Sequence, residues 1–291
     1  MGVVYEAEHN ELHLRVAIKV LHPLEAVDQN MITRFKVEAR SAASIRHQNV
    51  VEVTDFGLTP DNRPFFVMEF VEGESLADRL DRQSVLSERE TVEILDQILS
   101  GLSVAHKKGI IHRDIKPENV IIARQNGKKI VKLLDFGIAK IVGGSTLSNP
   151  IHYTTARPET EQGIVLGTPG YMAPESMTGR GKVDTRADLF SVGVIMYEMI
   201  TGQRPFKGTD AHTVMLETVR KPVPRPSAVN PNISKAMEQL CLTSLAKNPD
   251  ERIQTTDEFV YQLTAAAVGR IPDGVRAIHT WAFRQWHQWP N

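Results

Sequence analysis

Within the run His112-Arg113-Asp114-Ile115-Lys116-Pro117-Glu118-Asn119, a carboxylate, an ammonium and a side-chain amide fall on one short stretch. Moving a phosphoryl group from a nucleotide to a hydroxyl needs those three groups. The carboxylate sits at the attacking hydroxyl, the cation on the transferred phosphoryl, and the amide oxygen on magnesium. Asp114, Lys116 and Asn119 supply them in that order. Asp135, in Asp135-Phe136-Gly137, adds a second oxygen for magnesium bridging the phosphates. Lys19, in Val16-Ala17-Ile18-Lys19, is placed to hold the α- and β-phosphates. Glu38 stands in an apolar helical stripe, where an unpaired carboxylate is costly; Lys19 is its expected partner. Taken singly, each has a bland reading. Asp-Phe-Gly is a common turn, a strand lysine usually meets solvent, and Glu38 in another register is exposed. The argument rests on the joint set.

Such groups need elements to position them. Val3 to Ala7 and Val16 to Val20 are rich in β-branched residues and flank a polar turn near Asn10, so both read as strands. A helix is expected from Asn30 to Ile45, with Met31, Phe35, Glu38, Ala42 and Ile45 facing inward. Val50 to Phe56 and Pro64 to Val71 read as further strands, with a hinge near Glu69 to Gly73. Ser87-Glu88-Arg89-Glu90 reads as a capping box opening a helix that ends at Gly109. Asn126-Gly127 between Val120 to Ala123 and Ile130 to Leu134 signals a hairpin. Leu189 to Ile200 is apolar nearly all round, as in a buried helix, and more helices are expected near Ile233 to Ala246 and Thr256 to Val268. The stretch Gly143 to Gln162 reads as a mobile loop. The expected fold class is α+β and bilobal: a strand-rich lobe over residues 1–71, a larger helical lobe over 72–268, and an aromatic tail over 269–291.

On these residues the chain resembles the eukaryotic-like, or Hanks-type, serine/threonine protein kinases in their bacterial style, as in Val67-Met68-Glu69-Phe70-Val71-Glu72-Gly73. The resemblance covers roughly Met1 to Ala267 and implies ATP and magnesium as cofactors, with protein serine or threonine hydroxyls as acceptors. It implies that Val4, Ala17 and Ile121 sandwich the adenine, that the backbone of Glu69 and Val71 hydrogen-bonds it, and that Met68 is the gatekeeper. It also implies that Asp188 holds the catalytic-loop backbone and that Arg252 pairs with Glu175 of Ala173-Pro174-Glu175, a structural contact. Lys116 and the run Gly167-Thr168-Pro169-Gly170-Tyr171 point to serine/threonine rather than tyrosine, with Thr168 bridging Asp114 and Lys116. Arg113 is expected to receive a loop phosphate, with Thr160 the first candidate for autophosphorylation and Thr154 and Thr155 the next. Of the family's glycine-rich loop only Gly2-Val3-Val4 stands here, without the first strand. The expectation is weak or absent turnover for the chain as written, with Met1 an internal methionine of a longer chain.

Composition adds exclusions. Lys plus Arg is 34 and Asp plus Glu is 35, a balance that argues against a nucleic-acid binder. Cys241 is the single cysteine, read as a core residue; it admits no internal disulfide, and a cytoplasmic setting is expected. No apolar run spans a bilayer. Trp281, Phe283, Trp286 and Trp289 crowd the tail. Stacking on bases or lying at a membrane are open readings, but docking on the helical lobe or a linker stub is preferred. His112 reads as a packing residue beside Phe136. Beside the active kinase stand two other classes: a pseudokinase or nucleotide-binding scaffold, and a kinase of small molecules.

Overall fold

The computed structural model describes residues 2–26, 28–136, 169–178 and 183–270. Strands β1 (Val3–Glu8) and β2 (Arg15–Val20) pair antiparallel, from Val3 opposite Val20 to Glu8 opposite Arg15. Helix α1 (Gln29–Ser44) opens on Asp28, whose carboxylate accepts the Asn30 N–H. It buries Phe35, Glu38, Ala39 and Ala42, while Met31 in the first turn is only partly covered. Strands β3 (Val53–Leu58) and β4 (Pro64–Glu69) complete an antiparallel sheet in the order β1-β2-β4-β3. The apolar run of β4 alternates. Phe66 and Met68 are buried against α1, whereas Phe65 and Val67 are not, because α1 covers only one sheet face.

The strand expected from Val50 begins three residues late, at Val53. Residues 49–51 pair instead with the second sheet. Val50 forms a parallel bridge to Leu133, Val51 donates to the Leu133 carbonyl at 2.9 Å, and the Leu133 N–H donates to the Asn49 carbonyl at 2.9 Å. That sheet runs β5 (Gly73–Ser75), β6 (Val120–Gln125), β7 (Lys128–Leu133). Asn126 and Gly127 both take positive φ, 52° and 77°, so a two-residue turn closes β6 onto β7 as the sequence predicts.

Helix α2 (Leu76–Arg82) opens on a full capping box, Ser75 with Asp78, that the sequence reading does not foresee. The box expected at Ser87 is only half made. Ser87 caps the Glu90 N–H of α3 (Glu88–Lys107), but the Glu90 carboxylate accepts from Arg79 at 2.8 Å and Lys129 at 3.1 Å. Two cations outcompete one backbone N–H for that oxygen. Gly109, with φ of 71°, ends the turn after α3. The remaining helices are α4 (Pro174–Thr178), α5 (Arg186–Thr201), α6 (Ala211–Arg220), α7 (Pro226–Val229), α8 (Lys235–Ser244) and α9 (Thr256–Ala267). α6 escapes the sequence reading because only its Val214 and Thr218 are buried. α5 is the axis of the large core, with Leu189, Phe190, Val192, Val194 and Ile195 fully enclosed, each such side chain stabilising by roughly 1.5–3 kcal/mol. Ile45, Val50, Ala105 and Phe136 form a separate cluster that joins α1 and α3.

Candidate active site

Lys19 leaves the middle of the first sheet and is 7% exposed. Its ammonium is 2.9 Å from Glu38 Oε1 on α1 and 2.8 Å from Asp135 Oδ1 after β7. The carboxylate that looked stranded in the sequence thus has the partner expected of it. Burial disfavours charge on Lys19, yet the Asp135 and Glu38 carboxylates outweigh it and hold the ammonium above its usual range. Burial pushes the Glu38 carboxyl up, against the pull of Lys19, and Asp135 adds to that rise.

The loop after α3 carries the second group. Asn119 closes a short 3-10 turn, and its Nδ2 donates to the Asp114 carbonyl at 2.8 Å and to Asp114 Oδ2 at 3.1 Å. The Lys116 ammonium is 3.7 Å from the same Oδ2. With its amide nitrogen spent on Asp114, Asn119 presents Oδ1 as an acceptor. The loop is held from below by Asp188 on α5, 1% exposed. Asp188 accepts the His112 N–H at 2.8 Å, the Arg113 N–H at 2.9 Å and a contact from His106 Nε2 at 2.8 Å. Arg113 (φ 66°) and Asp135 (φ 43°) adopt left-handed backbone, a strain of about 1–3 kcal/mol each that such bonds maintain. His112 packs on Phe136, ring centroids 4.5 Å apart, and meets the Leu134 carbonyl through Nε2 at 2.8 Å. Full burial pushes its pKa down, so it is neutral with the proton on Nε2 and packs rather than carries protons.

Below the site, Arg252 grips Glu175 with both guanidinium nitrogens, at 2.7 and 2.8 Å. Gly137, Thr168 and the threonines 154, 155 and 160 lie outside the described residues, as do residues 271–291 with the tail's aromatic side chains.

A family model described as protein kinase domain matches residues 1–262. The chain belongs to the protein kinase domain family. Among curated relatives, it is 40% identical over 267 residues to the serine/threonine-protein kinase Pkn1 of Myxococcus xanthus, covering 91% of this chain and 36% of that one. It is 37% identical to PknA of Mycobacterium tuberculosis, covering 94% and 60%. Among solved structures, the kinase domain of Mycobacterium tuberculosis PknI, as a double mutant, superposes with a TM-score of 0.69 at 26% identity, covering 92% of this chain and 91% of that one. The chain spans between about a third and six-tenths of the length of these two curated relatives. The sequence resemblance to bacterial serine/threonine kinases is borne out, as is the mixed α+β class.

Register explains how this kinase domain presents the other nominated residues. Val4 lies opposite Lys19, and Ala17 opposite Met68, so all four share one sheet face. Val4 is 51% exposed on that face. Ile121 lies opposite Lys132 in the second sheet. A Cβ at Gly2 would meet the Val20 carbonyl oxygen at 2.4 Å, so glycine there also serves close packing of β1 on β2. At the hinge, the Glu69 N–H is donated to the Glu52 carbonyl at 3.0 Å, which is compatible with the expected backbone role of Glu69 through its carbonyl. The Val71 N–H donates no backbone bond among the described residues. A cavity of about 10 Å³ behind Met68 is lined by Glu38, Phe66, Asp135 and Phe136. A larger groove of about 470 Å³ between α1 and β3 contains none of the nominated residues. Sequence reasoning missed Lys132 and His106, whose partners are distant in the chain and leave no local signal.

Proposed function

We propose that this domain is an ATP-dependent serine/threonine protein kinase. The observation that carries the reading is Lys19 held between Glu38 and Asp135, facing a loop on which Asn119 and Lys116 both meet the Asp114 carboxylate. In this reading Asp114 orients the acceptor hydroxyl and takes its proton, Lys116 sits on the transferred phosphoryl, and Lys19 holds the α- and β-phosphates. Glu38 fixes the position of Lys19. Asn119 Oδ1 and Asp135 are the groups that hold magnesium, which when bound neutralises phosphate charge. The donor set suits it: a side-chain amide oxygen and a carboxylate are the hard oxygen ligands that magnesium takes. Val4, Ala17, Met68 and Ile121 form the adenine slot, Gly2 approaches the phosphates, and the Glu69 carbonyl and Val71 N–H read the base edge. The complete polar set supports turnover over a nucleotide-binding scaffold.

The division into lobes at 71/72 is part of the same reading, supported by β4 ending at Glu69 and β5 starting at Gly73 in the other sheet. Arg113 is the cation we assign to hold a phosphate on Thr160, or on Thr154 or Thr155, its N–H groups donating to the phosphate oxygens. Its half-buried guanidinium makes no ion pair among the described residues. The test is incubation with labelled ATP, magnesium and a generic basic protein. Label on serine and threonine, lost in Asp114→Asn, is expected; a folded Asp114→Asn variant keeping more than about half of the turnover would sink the assignment.

A further inference from the structure

Glu69, the last residue of β4, is pinned on more sides than a chain link between two sheets requires. Its backbone N–H donates to the Glu52 carbonyl at 3.0 Å. Its Oε1 accepts the Glu52 N–H at 2.9 Å, and the same oxygen meets the Lys132 ammonium at 2.5 Å. Lys132 stands next to last in β7, between Val131 and Leu133, both fully enclosed. Leu133 is itself clamped by Asn49 and Val51, and Asn49 Nδ2 donates to the Val131 carbonyl at 2.7 Å. The ammonium therefore projects from one of the best-anchored points where the sheets meet, and its side chain is 13% exposed. It also shares its sheet face with Ile121, the residue opposite it on β6.

We infer that Lys132, through Glu69, is a positioning residue for the nucleotide: an ion-pair latch that fixes the hinge strand between the two sheets. Glu69 is reached by one sheet through Glu52 and by the other through Lys132. A relative shift of the sheets strains one arm of the latch or the other. The Glu69 carbonyl moves with its side chain's anchor, and a hydrogen bond to a base edge weakens steeply with misalignment. The latch thus acts on affinity for ATP and not on the phosphoryl-transfer step, since neither Lys132 nor the Glu69 carboxylate touches Asp114, Lys116 or Lys19 in the contacts described above. This inference rests on the nucleotide reading of the hinge.

The test uses the whole chain with four variants: Lys132→Met, Lys132→Arg, Glu69→Gln, and Lys132→Met with Glu69→Gln. Binding of ATP with magnesium is followed by titration calorimetry, turnover by steady-state kinetics, and folding by Tm. Loss of one well-aligned hydrogen bond to the base predicts a Kd and a KM for ATP raised about three- to ten-fold in Lys132→Met, with kcat within about two-fold of the parent. Arginine, which keeps the charge, should restore most of the loss. The double variant should bind no more weakly than the weaker single one, because the two residues form one device. An unchanged Kd in Lys132→Met, a loss confined to kcat, no rescue by arginine, or additive single effects would each overturn the latch. If the parent itself bound no ATP, the nucleotide reading would fall and the latch with it; that result is separate because it appears without any substitution.

Discussion

Asp188→Asn removes half of an acceptor that three donors share. In the parent, Oδ1 takes the Arg113 N–H at 2.9 Å, and Oδ2 takes the His112 N–H at 2.8 Å and faces His106 Nε2 at 2.8 Å. Asparagine keeps one oxygen and turns an NH2 group toward the donors of the other. With Asp188 1% exposed, solvent gives little relief. With the amide oxygen kept at the Oδ2 position one contact is lost and the other two lose their charge assistance; at about 1.5–3 kcal/mol for a hydrogen bond to a charged group, the cost is about 2–4 kcal/mol. The cost falls on the segment that holds Arg113 at φ 66° and carries Asp114. If about 3 kcal/mol of it appears as misplacement of Asp114, kcat falls about a hundred-fold. Lys19, Glu69 and Val71 do not touch Asp188, so Kd for ATP should stay within about three-fold of the parent. Steady-state kinetics, calorimetric ATP binding and Tm, run on the same preparations, separate the three effects. A kcat within about five-fold of the parent in a folded variant would refute the claim that Asp188 sets the loop.

Other outcomes follow from the same geometry. Lys19→Met should cut turnover and weaken ATP binding together, because the phosphates lose their cation and Glu38 is left buried and unpaired; intact binding by calorimetry would contradict it. Asp135→Asn should shift the magnesium dependence of turnover to higher concentration, and an unchanged magnesium titration would show the metal assignment wrong. Arg252→Ala should leave Glu175 without the guanidinium that holds both its oxygens and cost about 3–5 kcal/mol, a fall in Tm of roughly 6–10 °C; a melting scan checks it. Burial holds the folded pKa of His112 below its unfolded value of about 6.5, so the unfolded chain binds more protons just below that pH. Stability from this residue is full above about pH 6.5 and is lost as pH falls beneath it, so in His112→Gln the decline of Tm between about pH 6.5 and 5.5 should be shallower than in the parent.

The clustering of the candidate residues was legible in the sequence because several of them lie in short runs. Asp114, Lys116 and Asn119 lie so close along the chain that one loop brings them together, and Asn126-Gly127 fixes its turn by backbone preference alone. Glu38 declared itself by conflict, a charge in an apolar helical stripe, and the conflict named the kind of partner required. Periodicity gave α1, α3 and α5, whose buried faces run for several turns, but not α6, which buries two residues, nor the two-strand choice of Val50 and Val51. Those valines suit any strand. Only assembly decides that they join β7 and not β3, because pairing energy depends on which edge is free when the sheets meet. The capping box moved from Ser87 to Ser75 for the same reason: Arg79 and Lys129, distant in sequence, arrive at Glu90 and take its carboxylate. Lys132 and Glu69, and likewise Asp188 with the loop above it, are ordinary charged residues in their local context. Their roles follow from contacts 63 and 75 or more residues apart in the chain, which only the folded chain creates.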